Sequence, residues 1–323
     1  MITEILPDFY QLQVPFPKNP LKNCNCYLIK DNGRALMVDT AVNLEETRDA
    51  LFSELSEIKV DLTKTDFFLT HMHTDHTGLL ARLVRDPSTV YFSKVDAGSL
   101  NYNIEAAWER RVGMATRNGF PRDVLLATGN APMYQFREWT DHELHLIKQD
   151  DTISIGDYRF SCLETPGHTR GHVCLYEPDK KIIISGDHVL GDISPNISTW
   201  SADENPLADY LASLDKVYKL DVHLVLPGHR RPFNNLKERV SELKRHHEVR
   251  ANEAFEIVKR EKLNAYQVSS RMTWDLKYTT WDTVPVWQRM FALGEALAHL
   301  KYLQSVGKVQ EERTEKEILY SAV

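Results

Sequence analysis

The seven residues THMHTDH, 70 to 76, constrain this chain more than any other stretch. They set three histidines and an aspartate directly after DFFL, an apolar run that reads as a buried strand. His71 and His73 are two apart at a strand end, so their imidazoles project the same way and can chelate one ion. Asp75 and His76 follow where the loop is expected to turn into a helix, TGLLARLVR over 77–85, and so can face a second ion a few ångströms away.

The surroundings are strand-rich. Apolar and period-two runs recur as NCNCYLI, RALMVDT, TDFFLT, TVYFS, TISI, YRFSCLE, HVCLYE, KIIIS and VHLVLPG, most of them closed by Gly, Pro, Asp or Asn. A helix is expected over 44–55, and YEPDKKIII reads as a hairpin. Strand pairs mixed with crossover helices predict an α/β sandwich with helices on its outer faces. Residues 96–142 break the rhythm with two helical stretches and the irregular NAPMYQFREWT; the insertion is either a lid over a pocket or an excursion that extends a core. After LPGHRRPF, a long helix with apolar positions at Leu236, Val240, Leu243, His247 and Ala251 is expected, then two more helices and a terminal hairpin. The domains are accordingly 1–232 and 233–323.

Composition excludes several classes. The 323 residues carry a formal charge of -7, which gives no whole-chain attraction to nucleic acid or anionic membrane, and the C-terminal segment is nearly balanced in sign. Packing or homodimer formation is the favoured role of that segment. No apolar stretch approaches the roughly 18 residues of a membrane span, and the start lacks a basic region followed by an apolar one, which reads as cytoplasmic. Cys24, Cys26, Cys162 and Cys174 are too few and scattered for a disulfide framework. The Cys24 and Cys26 pair, on one face of a strand, is either a redox or metal pair or, in the preferred reading, two small core positions.

Three further polar residues stand after strands in Gly or Pro contexts: His168 in TPGHTRGH, Asp187 in SGDHV and His229 in LPGH. Strand ends along one rim bring distant residues together. Counted with the opening cluster, His71, His73, His168 and Asp187 would serve one metal, and Asp75, His76, His229 and the shared Asp187 a second.

HxHxDH followed by His, Asp and His in these contexts resembles the metallo-β-lactamase-fold hydrolases, over about residues 1 to 232. The resemblance implies an αβ/βα four-layer sandwich with a binuclear site at one end of the two sheets. The order of elements after 233 is similar to the winged-helix-like C-terminal extension of the glyoxalase II-like branch. His73 stands where flavodiiron oxygen reductases have glutamate, which indicates hydrolysis rather than redox chemistry. True β-lactamases lack the aspartate seen at Asp187, so thioesterases, lactonases and RNase Z-type nucleases are the nearer comparison. Asp39, in LMVDT, resembles the family's aspartate that steadies a ligand imidazole; a mere strand-terminating acid is the alternative. His188, beside Asp187, would lie within reach of substrate. His172 is read as a loop tether, and His246 and His247 as a solvated helix face.

Imidazole and carboxylate donors, with no thiolate among them, suit two divalent ions, zinc first, with iron or manganese as alternatives. The ions would hold a bridging hydroxide as nucleophile, and Asp75 would accept its proton. The expected substrate is a small-molecule thioester, ester or lactone, with Trp108, Tyr134, Phe136 and Trp139 of the insertion lining an acyl pocket. An endoribonuclease that grips RNA through its C-terminal domain is the alternative, and a catalytically silent binding protein is a third, weaker class.

Overall fold

The computed structural model describes residues 1–98, 104–128, 142–275 and 278–323, without the side chain of residue 104. The strands are β1 Ile2–Leu6, β2 Phe9–Pro15, β3 Asn23–Asp31, β4 Arg34–Val38, β5 Thr65–Phe68, β6 Val90–Ser93, β7 Leu144–Ile147, β8 Thr152–Ile155, β9 Tyr158–Glu164, β10 Val173–Glu177, β11 Ile182–Gly186, β12 Leu224–Pro227, β13 Val309–Arg313 and β14 Ile318–Ala322. The helices are α1 Glu45–Glu57, α2 Thr74–Thr77, α3 Leu80–Leu83, α4 Lys94–Gly98, α5 Ile104–Arg117, α6 Arg122–Leu126, α7 Pro206–Tyr218, α8 Leu236–Arg260, α9 Ala265–Arg271 and α10 Val286–Ser305.

β1 to β7 form one sheet in chain order, and a second runs β12-β11-β10-β9-β8. The reason two sheets pack is visible in β3. Its even positions Cys24, Cys26 and Leu28 enter one apolar cluster with Leu51 and Leu55 of α1. Its odd positions Tyr27 and Ile29 enter another, together with Phe160, Leu175, Ile184 and Leu226 of the second sheet. A strand buried on both faces reads as an unbroken apolar run, which is how NCNCYLI reads. The α/β sandwich expected from the sequence is the observed architecture.

Strand direction then positions the site. β4, β5 and β6 are mutually parallel. In the second sheet β11 and β12 are parallel, and β9 runs with them because both β9 and β11 are antiparallel to β10. Asp39, Thr70, the loop to His168, Asp187 and His229 therefore all follow C-terminal strand ends. The turns β3–β4, β8–β9 and β10–β11 lie at the opposite ends of the same strands.

The helix expected over 77–85 is instead two short helices, α2 and α3, that begin earlier. The amide of Leu79 donates to Ala41 O at 3.2 Å, which breaks the ladder. A Cβ on Gly78 would lie 2.4 Å from Thr74 O and 2.7 Å from Asn43 N, so α2 is pressed against the turn after β4. β1, β2 and β7 are strands that apolar patterning did not single out.

Contacts divide the described residues into two units, one drawn from 1–101, 132–195 and 215–239, the other from 102–131, 196–214 and 240–323. In the second unit the helices of the insertion pack with the C-terminal segment. The rings of Trp108 and Trp287 are 5.5 Å apart, and Tyr266 N donates to Asn118 O at 3.0 Å. Trp108 is buried there; Tyr134, Phe136 and Trp139 lie outside the described residues. The predicted α8, α9, α10 and hairpin β13–β14 are present in that order. His247 is a correction: it is 1% exposed, its Nδ1 3.3 Å from His299 Nε2, so it fills the inward apolar stripe of α8 rather than a solvated face.

Candidate metal centre

The seven donor residues named from the sequence lie together on one rim. His71 Nε2 is 3.0 Å from His73 Nδ1, which is 2.9 Å from His168 Nε2. Asp187 faces both halves of the cluster: Oδ1 is 3.6 Å from His76 Nε2, and Oδ2 is 3.6 Å from His168 Nε2 and 3.5 Å from His229 Nε2. Asp75 Oδ2 is 3.3 Å from His229 Nε2.

Protein hydrogen bonds aim these atoms. Asp39, held at φ 61° in the left-handed region, accepts from Thr70 N and Thr70 Oγ1, each at 2.8 Å, and from His76 Nδ1 at 2.7 Å. His76 thus presents Nε2 inward. With the Thr70 hydroxyl proton committed to Asp39, Thr70 Oγ1 accepts from His71 Nδ1 at 3.0 Å, and His71 also presents Nε2. His229 gives its Nδ1 proton to Asn23 O at 2.9 Å. His172 Nε2 accepts from the amide of Asp187 at 3.1 Å, and its Nδ1 donates to Thr165 Oγ1 at 2.8 Å, so it anchors Asp187 as well as its own loop. His188 is fully buried, its ring 6.1 Å from that of His172. It thus stands beside the imidazole that anchors Asp187.

The sequence reading missed three supports: Asp96, Asn25 and Tyr27. Asp96 is 1% exposed; its Oδ2 accepts from Met72 N at 2.9 Å and Thr169 Oγ1 at 2.8 Å, and its Oδ1 from Gly171 N at 2.8 Å, tying the His71 loop to the His168 loop. Its signal was available, since it follows the strand TVYFS as the other acids follow theirs. Asn25 Nδ2 donates to Pro227 O and Arg230 O, at 2.9 and 2.7 Å, and Tyr27 Oη to Pro227 O at 2.8 Å, fixing the turn that carries His229. Cys24, for which the sequence favours a core position over a redox or metal pair, was left out of the donor set. It is buried, and its sulfur lies within 4.8 Å of donor atoms of Asp75 and His229.

The electrostatics fit cations. Burial, with His76, His73 and His168 nearby, holds His71 well below the ordinary histidine pKa, and burial with His168 takes His73 down to about 3, so both are neutral donors. Burial alone would raise Asp187, but His229 and His76 outweigh it and keep the carboxyl well below its usual range, ionised. Among the described residues His76 Nε2, His229 Nε2 and Asp187 Oδ1 are buried and make no hydrogen bond. Buried polar atoms without such partners carry a large desolvation cost, which a cation would offset. His73 Nδ1 stands about 3 Å from both His71 Nε2 and His168 Nε2, close to the separation of nitrogen donors at roughly 2.0–2.1 Å from one zinc ion.

Residues 19–229 match the metallo-beta-lactamase superfamily. The chain belongs to that superfamily. Residues 282–321 match the metallo-beta-lactamase-like C-terminal domain, covering α10 and most of the β13–β14 hairpin. Among metallo-beta-lactamase superfamily relatives, the acyl-coenzyme A thioesterase MBLAC2 of Homo sapiens is 26% identical over 65% of this chain and 74% of its own. The probable metallo-hydrolase YqjP of Bacillus subtilis is 24% identical over 82% of this chain and 85% of its own. A metallo-beta-lactamase family protein from Thermus thermophilus superposes with a TM-score of 0.81 at 27% identity, covering 99% of this chain and 100% of that one.

Proposed function

We propose that this chain is a binuclear metal-dependent hydrolase of small-molecule acyl thioesters, with esters and lactones as the neighbouring substrate classes. One observation carries the reading: the Asp187 carboxylate lies within 3.6 Å of ring nitrogens from both halves of the cluster, His168 of one and His76 and His229 of the other, as a ligand shared by two ions would. His71, His73 and His168 would hold one ion, Asp75, His76 and His229 the other, and Asp187 both. Two divalent cations there, zinc first by donor type, would supply an acidified water and a positive charge for the carbonyl oxygen.

The residues supply the rest. Asp39, Thr70 and Asn23 fix the imidazole orientations before substrate arrives, which is the condition for electrostatic stabilisation without reorganisation. The Asp75 side chain is 17% exposed against 9% for Asp187 and 4% for Asp39, making it the most open carboxylate of the three. It would take the proton of the attacking water at its carboxylate and return it to solvent. A thiolate leaving group, with a thiol pKa of about 8.5, departs with little need of an acid. The human relative's thioesterase name supports the same substrate class.

The test is metal-analysed protein assayed on acyl thioesters, lactones and labelled single-stranded RNA. Thioester cleavage that disappears in Asp75→Ala and His168→Ala is the expected result. RNA cleavage with inert thioesters would replace the reading with the nuclease one, and activity surviving in both variants would assign it to a contaminant.

A further inference from the structure

We infer that Cys24 is a sulfur donor to the second cation, so that the site holds a mixed nitrogen, oxygen and sulfur shell. The inference rests on the two-cation reading of the rim. Cys24 is the second residue of β3, at the strand end that abuts the turn carrying His229. Its sulfur, a carboxylate oxygen of Asp75 and a ring nitrogen of His229 lie within 4.8 Å of one another, and Cys24 is 1% exposed. A further observation points into the same space: among the described residues His229 Nε2 is buried and makes no hydrogen bond, and it faces Asp75 Oδ2 at 3.3 Å. The strand that carries Cys24 also aims that imidazole, since Asn23 O accepts from His229 Nδ1.

Position separates Cys24 from the other thiols. Cys26 lies two residues further along β3 on the same face; both thiols border the same apolar cluster, and among the described residues only Cys24 is grouped with imidazole and carboxylate donor atoms. Cys162 belongs to the cluster between the sheets, and Cys174 contacts Thr165 and Ser185 O. As a fifth donor beside Asp75, His76, His229 and Asp187, Cys24 would complete a five-coordinate shell, in which zinc–sulfur bonds of about 2.3 Å and zinc–nitrogen or zinc–oxygen bonds of about 2.0–2.2 Å place neighbouring donors roughly 3.0–3.8 Å apart. The His229–Asp75 pair already has that spacing, and a thiol within 4.8 Å reaches it by a shift of about an ångström. As the sulfur–metal bond forms, the thiol proton passes to solvent and no electron is transferred. The added thiolate biases the second position toward zinc, cobalt(II) or cadmium over manganese or magnesium.

The experiment loads chelator-stripped full-length protein with cobalt(II) in steps and follows absorption in the near ultraviolet and visible. A sulfur-to-cobalt charge-transfer band that grows with the second equivalent, disappears in Cys24→Ser and persists in Cys26→Ser is the expected result. Second-equivalent affinity should fall about 10- to 100-fold in Cys24→Ser. Two equivalents bound by the wild type with no such band, or a band surviving in Cys24→Ser, overturns the inference while leaving the two-cation site intact. Failure of the wild type to bind a second equivalent removes that site and this inference together. The wild-type spectrum decides even if Cys24→Ser folds poorly.

Discussion

Gly228 offers the sharpest perturbation, because it touches the site without being a donor. A Cβ added there would stand 2.6 Å from Asp187 Oδ1 and 2.7 Å from His76 Cε1. Ordinary van der Waals contact begins at 3.4 Å, so in Gly228→Ala these groups or the turn must yield by about 0.8 Å. Both neighbours are buried, and Gly228 N is itself held by Gly186 O at 2.8 Å, so the displacement falls on the donor set. Misplacing reacting groups by about an ångström can cost about 100-fold in rate. Overpacking at a buried site costs about 1–3 kcal/mol of stability. Gly228→Ala should therefore remain folded by circular dichroism, bind its second equivalent of metal more weakly, and lose roughly two orders of magnitude in kcat/KM on a thioester. Wild-type metal stoichiometry and wild-type kcat/KM in the variant would refute the claim that the His229 turn sets the geometry.

Asp39→Asn removes the acceptor that fixes His76, and metal affinity at the second position should fall about 10- to 100-fold by calorimetric titration; unchanged affinity would mean that Asp39 only braces Thr70. In metal-free protein burial opposes a charged His229, but Asp187 and Asp75 prevail and raise its pKa to about 10. That ion pair stabilises the metal-free fold fully below the ordinary histidine range near 6.5 and is lost as pH rises through about 10. A cation must displace the same proton, so apparent affinity should rise by up to about tenfold per pH unit in that window, and a flat profile would contradict it. Asp96→Asn disrupts the hydrogen bonds joining the His71 and His168 loops, and should cost about 1–3 kcal/mol in denaturant unfolding together with weaker metal binding. Burial holds His247 down to about 2 and His299 to about 4, so their neutral packing loses stability as pH falls from 6.5 through those values. Acid should therefore destabilise the fold less in His247→Leu than in wild type.

What could be read from the letters depended on whether the physics was local. Runs such as KIIIS and HVCLYE announce strands because burial on both faces leaves no polar interruption. β2 is harder: Phe9 enters the cluster between the sheets, while Leu12 and Val14 enter the other, so its burial departs from simple alternation. The gathering of the seven residues was legible because each is a polar residue standing just after an apolar strand, and direction along parallel strands brings them to one rim. Asp96 obeys the same rule but lacks an adjacent histidine to attract notice. The helix over 77–85 failed because Ala41 O, nearly forty residues away, captures the Leu79 amide, a competition that apolar periodicity does not encode. His247 was mistaken for surface because its doublet with His246 masked its place on the inward stripe. Cys24 was assigned to the core, and it is buried there; its nearness to Asp75 and His229 depends on the β3–β12 rim contact, which no local pattern contains.

The strand directions also leave the molecule with a chemically quiet end. At the β8–β9 turn, a Cβ on Gly156 would lie 3.0 Å from the Cβ of Asp31, the last residue of β3 before the β3–β4 turn, so the hairpin ends of the two sheets meet there, at the opposite strand ends from the clustered histidines. Insertions, labels or fused sequences at that end would leave the histidine-rich rim untouched, whereas lengthening any loop on the other end changes what surrounds the clustered histidines and carboxylates. Diversification of a scaffold like this one is thus channelled to a single edge, and a reporter placed on the opposite edge would watch folding without disturbing turnover.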